Sequence, residues 1–467
     1  MTTTLADFTA TREQQRPILF SGGAIVTMDP RFPDLEMGDL LTCGSRIIAL
    51  GADLRKDPEH ADLLREALVV DTRGMILSPG FIDTHRHAWQ TQMRRIIPDV
   101  NDLGSYVSST LAEIAPHYTP EDMYVGTRLA ALSALDCGIT TMLDFSHNSR
   151  TTMHSDRAIH ALIDSGIRAV HASMRPHFGS WDGQWPTDLR RLVTEFHGAA
   201  EGLISVRLAA LATDEVAGPD LAYGPELSAV AKELGIGTSI DAVFGHTSSE
   251  AIYRWEQQGI LDDSVTLIHA TGLTPQAWQV LGRTGAKVSL APTSDAQIGL
   301  ETAIPAIDES LAVGIRPGLS IDVEVALSSD MFTQMRALLA IQRMRTTNHA
   351  YPQAPDERRI TTRDVLDFAT FQGASSIGLD HLTGSIAPGK QADLLLVRAN
   401  DINNMPLNDA IGTLVLGADP RNIESVLVAG HARKWSGELV GVDLEKLRRE
   451  TTESRNNIIN RKETHDH

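Results

Sequence analysis

Cysteine is nearly absent: the 467-residue chain holds two, Cys43 and Cys137. Two thiols cannot build a disulfide framework or a cysteine-based zinc site, and buried thiols in a reducing compartment are the plain reading. Nor does any apolar run approach the ~20 residues that span a bilayer. The opening MTTTLADFTATREQQRP lacks the basic and apolar regions of a secretory signal, so the expectation is a soluble, cytoplasmic protein. Positive charge is also in short supply, with 41 basic against 60 acidic residues and a net charge of −19. Such a surface repels phosphate backbones, which argues against nucleic acid or an anionic membrane as partner and leaves a small molecule as the expected one.

What is present is ordinary globular material, 42% hydrophobic and 22% charged, enough to bury a large core. From Pro17 to about Val70 short β-branched runs alternate with turns (ILFSGGAIVTM, DLLTCGSRIIALG, ALVVDTRG), and the texture returns in GKQADLLLVR and ESVLVAGHARKWSGELVG, where Ala429-Gly430-His431 reads as a hairpin. The two ends are expected to pair into one small β-sandwich. Between them strands alternate with helices. The strands are ILSPGFIDTHRH, ITTMLDFSH, IRAVHAS, LISVRLAAL, IGTSIDAV, SVTLIHA, AKVSLA and IRPGLSID, eight in all; the first helix opens on the cap-and-proline pair Thr119-Pro120 and stops at Cys137-Gly138. Strand-then-helix order implies parallel strands. An open doubly wound sheet would share that order, but the count of eight and the polar residues at the strands' C-terminal ends favour an α/β protein of the (β/α)8 type, a TIM-like barrel. The expected division is a β-sandwich from residues 17–73 and 385–441, a barrel over 74–344, a helical segment over 345–384 and a charged helical tail over 442–467 that packs on a neighbour. The tail's final His-Asp-His is read as disordered and not as a metal site.

Chemistry gathers at Asp83-Thr84-His85-Arg86-His87, at the end of the first barrel strand. Alternate strand residues share a face, so His85 and His87 point the same way and Arg86 points to the helices. Two imidazoles so placed make a divalent-metal clamp; chance or core packing is the plain alternative for an isolated pair. Further histidines and aspartates end later strands.

The string SPGFIDTHRH, the flanking β-rich segments and the late GSIAPGKQADLLLV resemble the amidohydrolase superfamily, in the branch with cytosine deaminase, the s-triazine hydrolases and the phenylurea and molinate hydrolases. The resemblance covers nearly the whole chain. It implies a barrel holding one divalent ion, with zinc the first expectation, through a first-strand histidine pair, a strand-five histidine and a strand-eight aspartate, with a strand-six histidine as ligand or substrate contact. His85 and His87 match the pair. His269 matches the strand-six histidine as metal or catalytic residue, and Asp322 matches the aspartate that binds metal and takes the proton from water. For Asp322 the alternative is a helix N-cap before VEVALSSDM.

Strand five departs from the pattern, for Asp241 stands at the histidine and Phe244 where the branch's deaminases carry glutamate. Asp241 as a metal ligand would harden the site toward Mn, Fe or Co. Phe244 cannot carry a proton to a ring nitrogen, which weakens a nucleobase-deaminase reading. His246 reads as a satisfied surface histidine and His171 as a buried hydrogen-bonded one. No lysine ends strand four, so a carbamylated-lysine dinuclear site is not expected. Trp89, Gln90, Gln92, His147, His177 and Phe244 are the substrate-binding candidates. Three functions follow. The first is metal-dependent hydrolysis of a C–N or related bond in a small amide, urea, carbamate, thiocarbamate or heterocycle. The others are a metal-dependent lyase, decarboxylase or ring-opening enzyme and a catalytically silent binding protein. A homo-oligomer is expected from the resemblance alone.

Overall fold

The computed structural model describes residues 3–300, 302–350 and 359–465. Eight parallel strands follow one another around a barrel: Phe81–Arg86, Ile139–Ser146, Arg168–Ser173, Ile204–Leu211, Thr238–Ala242, Val265–His269, Lys287–Leu290 and Gly318–Leu319. Each is bonded to the next in chain order, and the last segment returns to the first. The backbone N–H of Asp322 donates to His85 O at 2.9 Å, and that of His87 donates to Asp322 O at 3.0 Å. Closure therefore falls where the candidate ligands lie.

Local chemistry explains the connecting helices. The helix Pro120–Asp136 starts on a reciprocal cap in which the Thr119 hydroxyl accepts from Asp122 N (3.3 Å) and the Asp122 carboxylate accepts from Thr119 N (2.9 Å). Its interior Gly126 allows a close approach: a Cβ there would stand 2.3 Å from the Trp89 carbonyl oxygen, so the short helical turn Ala88–Met93 can lie directly on the helix.

The second sheet joins both ends of the chain. Leu394–Arg398 runs antiparallel to Met75–Pro79 and Ile423–Val428. Met75–Pro79 continues through Pro17–Ile25 to Leu35–Cys43 and Arg46–Gly51, with Leu68–Asp71 beside Pro17–Ile25. The sheet folds over its own core, where Phe8 packs on Trp435 with ring centroids 4.6 Å apart, beside buried Phe20, Leu40 and Leu394. Ala429 and Gly430, both at positive φ, turn the hairpin between Val428 and His431. The string ILSPGFIDTHRH is two strands, not one: Met75–Pro79 belongs to this sheet and Phe81–Arg86 to the barrel, with the switch at Gly80, whose N–H donates to Asp393 O at 3.0 Å. The Asp393 carboxylate also takes the buried Arg168 guanidinium at 2.7 and 3.1 Å and so ties barrel to sandwich.

The segment after the barrel carries the helices Met331–Ala350, Thr362–Phe368 and Phe371–Ser376; residues 351–358 lie outside the described residues. The helix Leu444–His465 packs on its own barrel. Its Ser454 hydroxyl donates to Asp122 Oδ1 at 2.7 Å and Ile458 is fully buried. Asp466 and His467 of the terminal triplet lie outside the described residues. Among the described residues no helix is long and apolar enough to cross a membrane.

Candidate active site

All six residues of the first barrel strand are buried, and His85 and His87 emerge at its C-terminal end with rings 4.6 Å apart and nearly perpendicular. Both face one carboxylate oxygen: Asp322 Oδ1 lies 3.2 Å from His85 Nε2 and 3.1 Å from His87 Nε2. Asp322 sits just past the eighth strand in the left-handed region, φ 70°, a conformation held by its two backbone bonds to the first strand. The chain after it forms turns, and the next helix begins at Met331, so Asp322 caps no helix. The other oxygen, Oδ2, accepts from the Ser294 hydroxyl and lies 3.8 Å from His269 Nε2. His269 ends the sixth strand, with Asp241 of the fifth 3.7 Å from its Nε2 and Asp295 Oδ1 2.7 Å from its Nδ1.

Burial and charge set the protonation of this cluster. Burial, then the neighbouring His87, pushes His85 down to about 4, so its imidazole is neutral near pH 7. Burial works against ionisation of Asp322, but the two histidine contacts and the His269 charge outweigh it and hold the carboxyl well below its usual range. For His269 burial is again opposed, here by the Asp295 bond and charge with help from Asp322 and Asp241, and the result is raised to about 10.

The donor set suits a divalent cation. Ligand atoms of His85, His87 and Asp241 fall within 4.8 Å of one another, as do those of His85, His269 and Asp322, with His85 common to both groups. Nε2 of His85 lies 3.2 Å from Asp322 Oδ1 without an aligned hydrogen bond, and Oδ1 of Asp241 is buried with no hydrogen-bond partner, a costly state for polar atoms that an ion would relieve.

Above the cluster opens a pocket lined in part by His87, His147, His177, Asp241, Phe244 and Asp322. The His147 ring meets His87 edge-on with centroids 4.1 Å apart, and its Nδ1 shares a hydrogen bond of 3.2 Å with His177 Nδ1. Three other substrate-binding candidates do not line the pocket. Trp89 lies behind it, packed on Tyr118 at 4.9 Å and His147 at 5.4 Å. Gln90 donates to the hydroxyl of Tyr106, itself a wall residue, at 2.7 Å. Gln92 turns away, because its amide donates to Asp122 O at 3.0 Å and Ser454 Oγ at 3.3 Å.

Arg86 is fully buried on the opposite face, bonded to Asp83 (2.6 Å) and Glu324 (2.9 Å), and Glu324 also takes Arg94. His171 is buried against Asp144 at 3.0 Å and His246 is exposed. Sequence reasoning passed over Ser294 and Asp295. Their signal was position: both lie in the short helix Pro292–Gln297 just after the seventh strand, at the end of the barrel where polar residues carry chemistry.

A family model described as the amidohydrolase family matches residues 76–433. The 5-methylthioadenosine/S-adenosylhomocysteine deaminase of Moorella thermoacetica is 26% identical over 400 residues, covering 82% of this chain and 87% of that protein. The 5'-deoxyadenosine deaminase of Methanobrevibacter smithii is 25% identical, covering 88% and 91%. Among solved structures, an adenosine deaminase from Xanthomonas campestris with bound zinc superposes with a TM-score of 0.79 at 19% identity, covering 95% of this chain and 98% of that one. Atrazine chlorohydrolase from Arthrobacter aurescens complexed with zinc superposes with a TM-score of 0.78 at 22% identity, covering 94% and 99%. At such identities the superpositions speak for the fold alone. With a family match across most of its length and a barrel that gathers histidines and aspartates at one mouth, the chain belongs to the amidohydrolase family and is an enzyme.

Proposed function

We propose that the chain is a metal-dependent hydrolase that cleaves a C–N bond, or a related C–S bond, of a small substrate. The observation that carries this reading is Asp322: one of its oxygens faces His85 and His87, and the other faces Ser294 and His269. His85, His87, Asp241 and Asp322 are the residues assigned to hold the ion, with His269 as a further candidate donor. Zinc is the proposed metal, in keeping with the zinc in the adenosine deaminase and atrazine chlorohydrolase structures; the two carboxylates also suit Mn, Fe or Co. A divalent ion supplies Lewis acidity here, activating water near neutral pH and drawing electron density from the reacting carbon.

The chain's own side chains do the rest. Asp322 takes the proton from the attacking water and returns it to the leaving nitrogen or sulfur. Ser294, by donating to Oδ2, fixes the direction in which that carboxylate points. His269 stabilises the oxygen that gains charge, and Asp295 orients it by binding Nδ1, so that Nε2 faces Asp241 and Asp322. His147, His177 and Phe244 are assigned to hold the substrate. Phe244 offers no proton, which favours a substrate whose leaving group departs without protonation of a ring nitrogen by a glutamate.

The test is amine release from N-substituted ureas, amides and carbamates by zinc-loaded protein in water enriched in oxygen-18. The account expects release that stops with a chelator, returns with zinc, and leaves one solvent oxygen in the acyl product. Metal-dependent turnover without solvent oxygen contradicts hydrolysis and favours a lyase.

A further inference from the structure

A second cleft, with a volume of about 710 Å³, is large enough for a small ligand. Two loops lend residues both to it and to the active pocket. The loop after the third strand gives His177 to the active pocket and Arg175, Trp181 and Trp185 to the cleft. The loop after the fourth gives Thr213 and Val216 to the one and Pro219 and Asp220 to the other.

Among the described residues that line the cleft, Arg175 is the one cation. It is 8% exposed, yet its guanidinium is thinly bonded. Nη1 donates to Pro176 O at 3.0 Å, Nη2 reaches Asp220 Oδ2 only at 3.4 Å, and Nε has no partner. Asp220 is a weak counter-ion, because its side chain is 77% exposed and water screens the pair. The helix Pro225–Leu234 begins in the same wall, where Gly224 supplies no side-chain cap and the N–H groups of Glu226 and Leu227 have no acceptor within the helix. A buried guanidinium and a helix N-terminus both stabilise negative charge. The carboxylate of Glu226, by contrast, belongs to an exposed residue and stays hydrated.

The rest of the wall is flat and apolar. Trp181 lies 5.3 Å from the Arg175 guanidinium, measured to the ring centroid, and Trp185 is held by its indole N–H, which donates to Ser173 O at 3.1 Å. Rigid aromatic faces of this kind favour a ring.

We infer that this cleft is a second binding site, for a small aromatic carboxylate whose anionic group replaces Asp220 at Arg175 and whose ring lies among Trp181 and Trp185. A carboxylate gains charge-assisted bonds from the unused N–H groups, and the ring gains from apolar contact. Acetate lacks the ring and benzamide lacks the charge, so each satisfies half of the site. Occupancy joins the two loops that wall the active pocket, and the site stands independently of the reaction at the barrel mouth.

The test is isothermal titration calorimetry of full-length metal-loaded protein with benzoate, benzamide and acetate. One benzoate per chain is expected, with benzamide and acetate weaker by about 10-fold or more. Arg175→Gln is expected to weaken benzoate by about 10-fold or more, and Asp220→Asn, a change at an exposed side chain, to tighten it roughly threefold. Asp241→Ala is expected to leave the affinity unchanged. Benzoate binding that survives Arg175→Gln, or that disappears in Asp241→Ala, puts the anion at the ion cluster and overturns the inference. So does equal binding of benzamide, or a Kd for benzoate above about 10 mM. Should Arg175→Gln fail to fold, an unchanged Kd in Asp220→Asn overturns it instead.

Discussion

Asp295 Oδ1 lies 2.7 Å from Nδ1 of His269, and both side chains are almost wholly buried. The bond fixes the ring so that Nε2 looks back at Asp241 and Asp322. A carboxylate that orients a site histidine typically carries a 10–100-fold share of activity or metal affinity. Asp295→Ala is therefore expected to lower kcat by about 10² while the protein stays folded by circular dichroism, and Asp295→Asn to lower it less. An unchanged kcat in Asp295→Ala would remove the orienting role.

Beneath the first strand, Asp83, Arg86 and Glu324 form a chain of buried charges that the partly exposed Arg94 extends, with Arg86 and Glu324 at most 1% exposed. Removing one partner of such a network leaves an uncompensated charge and costs about 3–5 kcal/mol. Glu324→Ala should lower the Tm by several degrees. Arg190→Ala, which breaks the exposed pair with Glu233, should shift it by little. Equal shifts in the two variants would contradict the difference in burial.

Gly126 sets how closely the Ala88–Met93 turn approaches the helix beneath it, since a Cβ would stand 2.2 Å from Gln92 Oε1 and 2.3 Å from Trp89 O. Gly126→Ala is expected to cost about 1–3 kcal/mol through forced displacement of that turn. Chemical denaturation measures it, and a variant as stable as the parent contradicts the contact.

How much of this could be read from the chain alone follows from which contacts are local. The eight strands were legible because each is a short apolar run, and Thr119-Pro120 and Ala429-Gly430 carry their cap and turn chemistry in their own residues. The HxH pair was legible because a strand's alternation puts His85 and His87 on one face. The sheet switch at Gly80 was read through, although Pro79-Gly80 marks it, because Met75–Pro79 and Phe81–Arg86 are both extended and are told apart by their distant partners. Gln92 went astray for a similar reason: its direction is set by Asp122 and by Ser454, far off in sequence. Asp295 lacked a histidine or a repeating pattern to mark it, and becomes visible only once His269 is beside it.

His431 offers a pH test away from the site. Burial, followed by the nearby Arg12 and Arg433, lowers its imidazole to about 4, with Glu201 pulling the other way. In the unfolded chain the group titrates near 6.5. The unfolded state therefore takes up the proton first, so the stabilisation is complete above about 6.5 and is lost progressively as pH falls from there toward about 4. His431→Gln should flatten the fall in Tm over that window, and parallel curves for parent and variant would show that the histidine contributes nothing to it.

The central claim, that histidines and aspartates from opposite sides of the barrel hold one divalent ion, is most directly tested by elemental analysis of the purified full-length protein beside Asp241→Ala. About one equivalent of a transition metal in the parent, lost or sharply reduced in the variant, is the result predicted. No metal in the parent after reconstitution with Zn, Mn and Co would contradict the account.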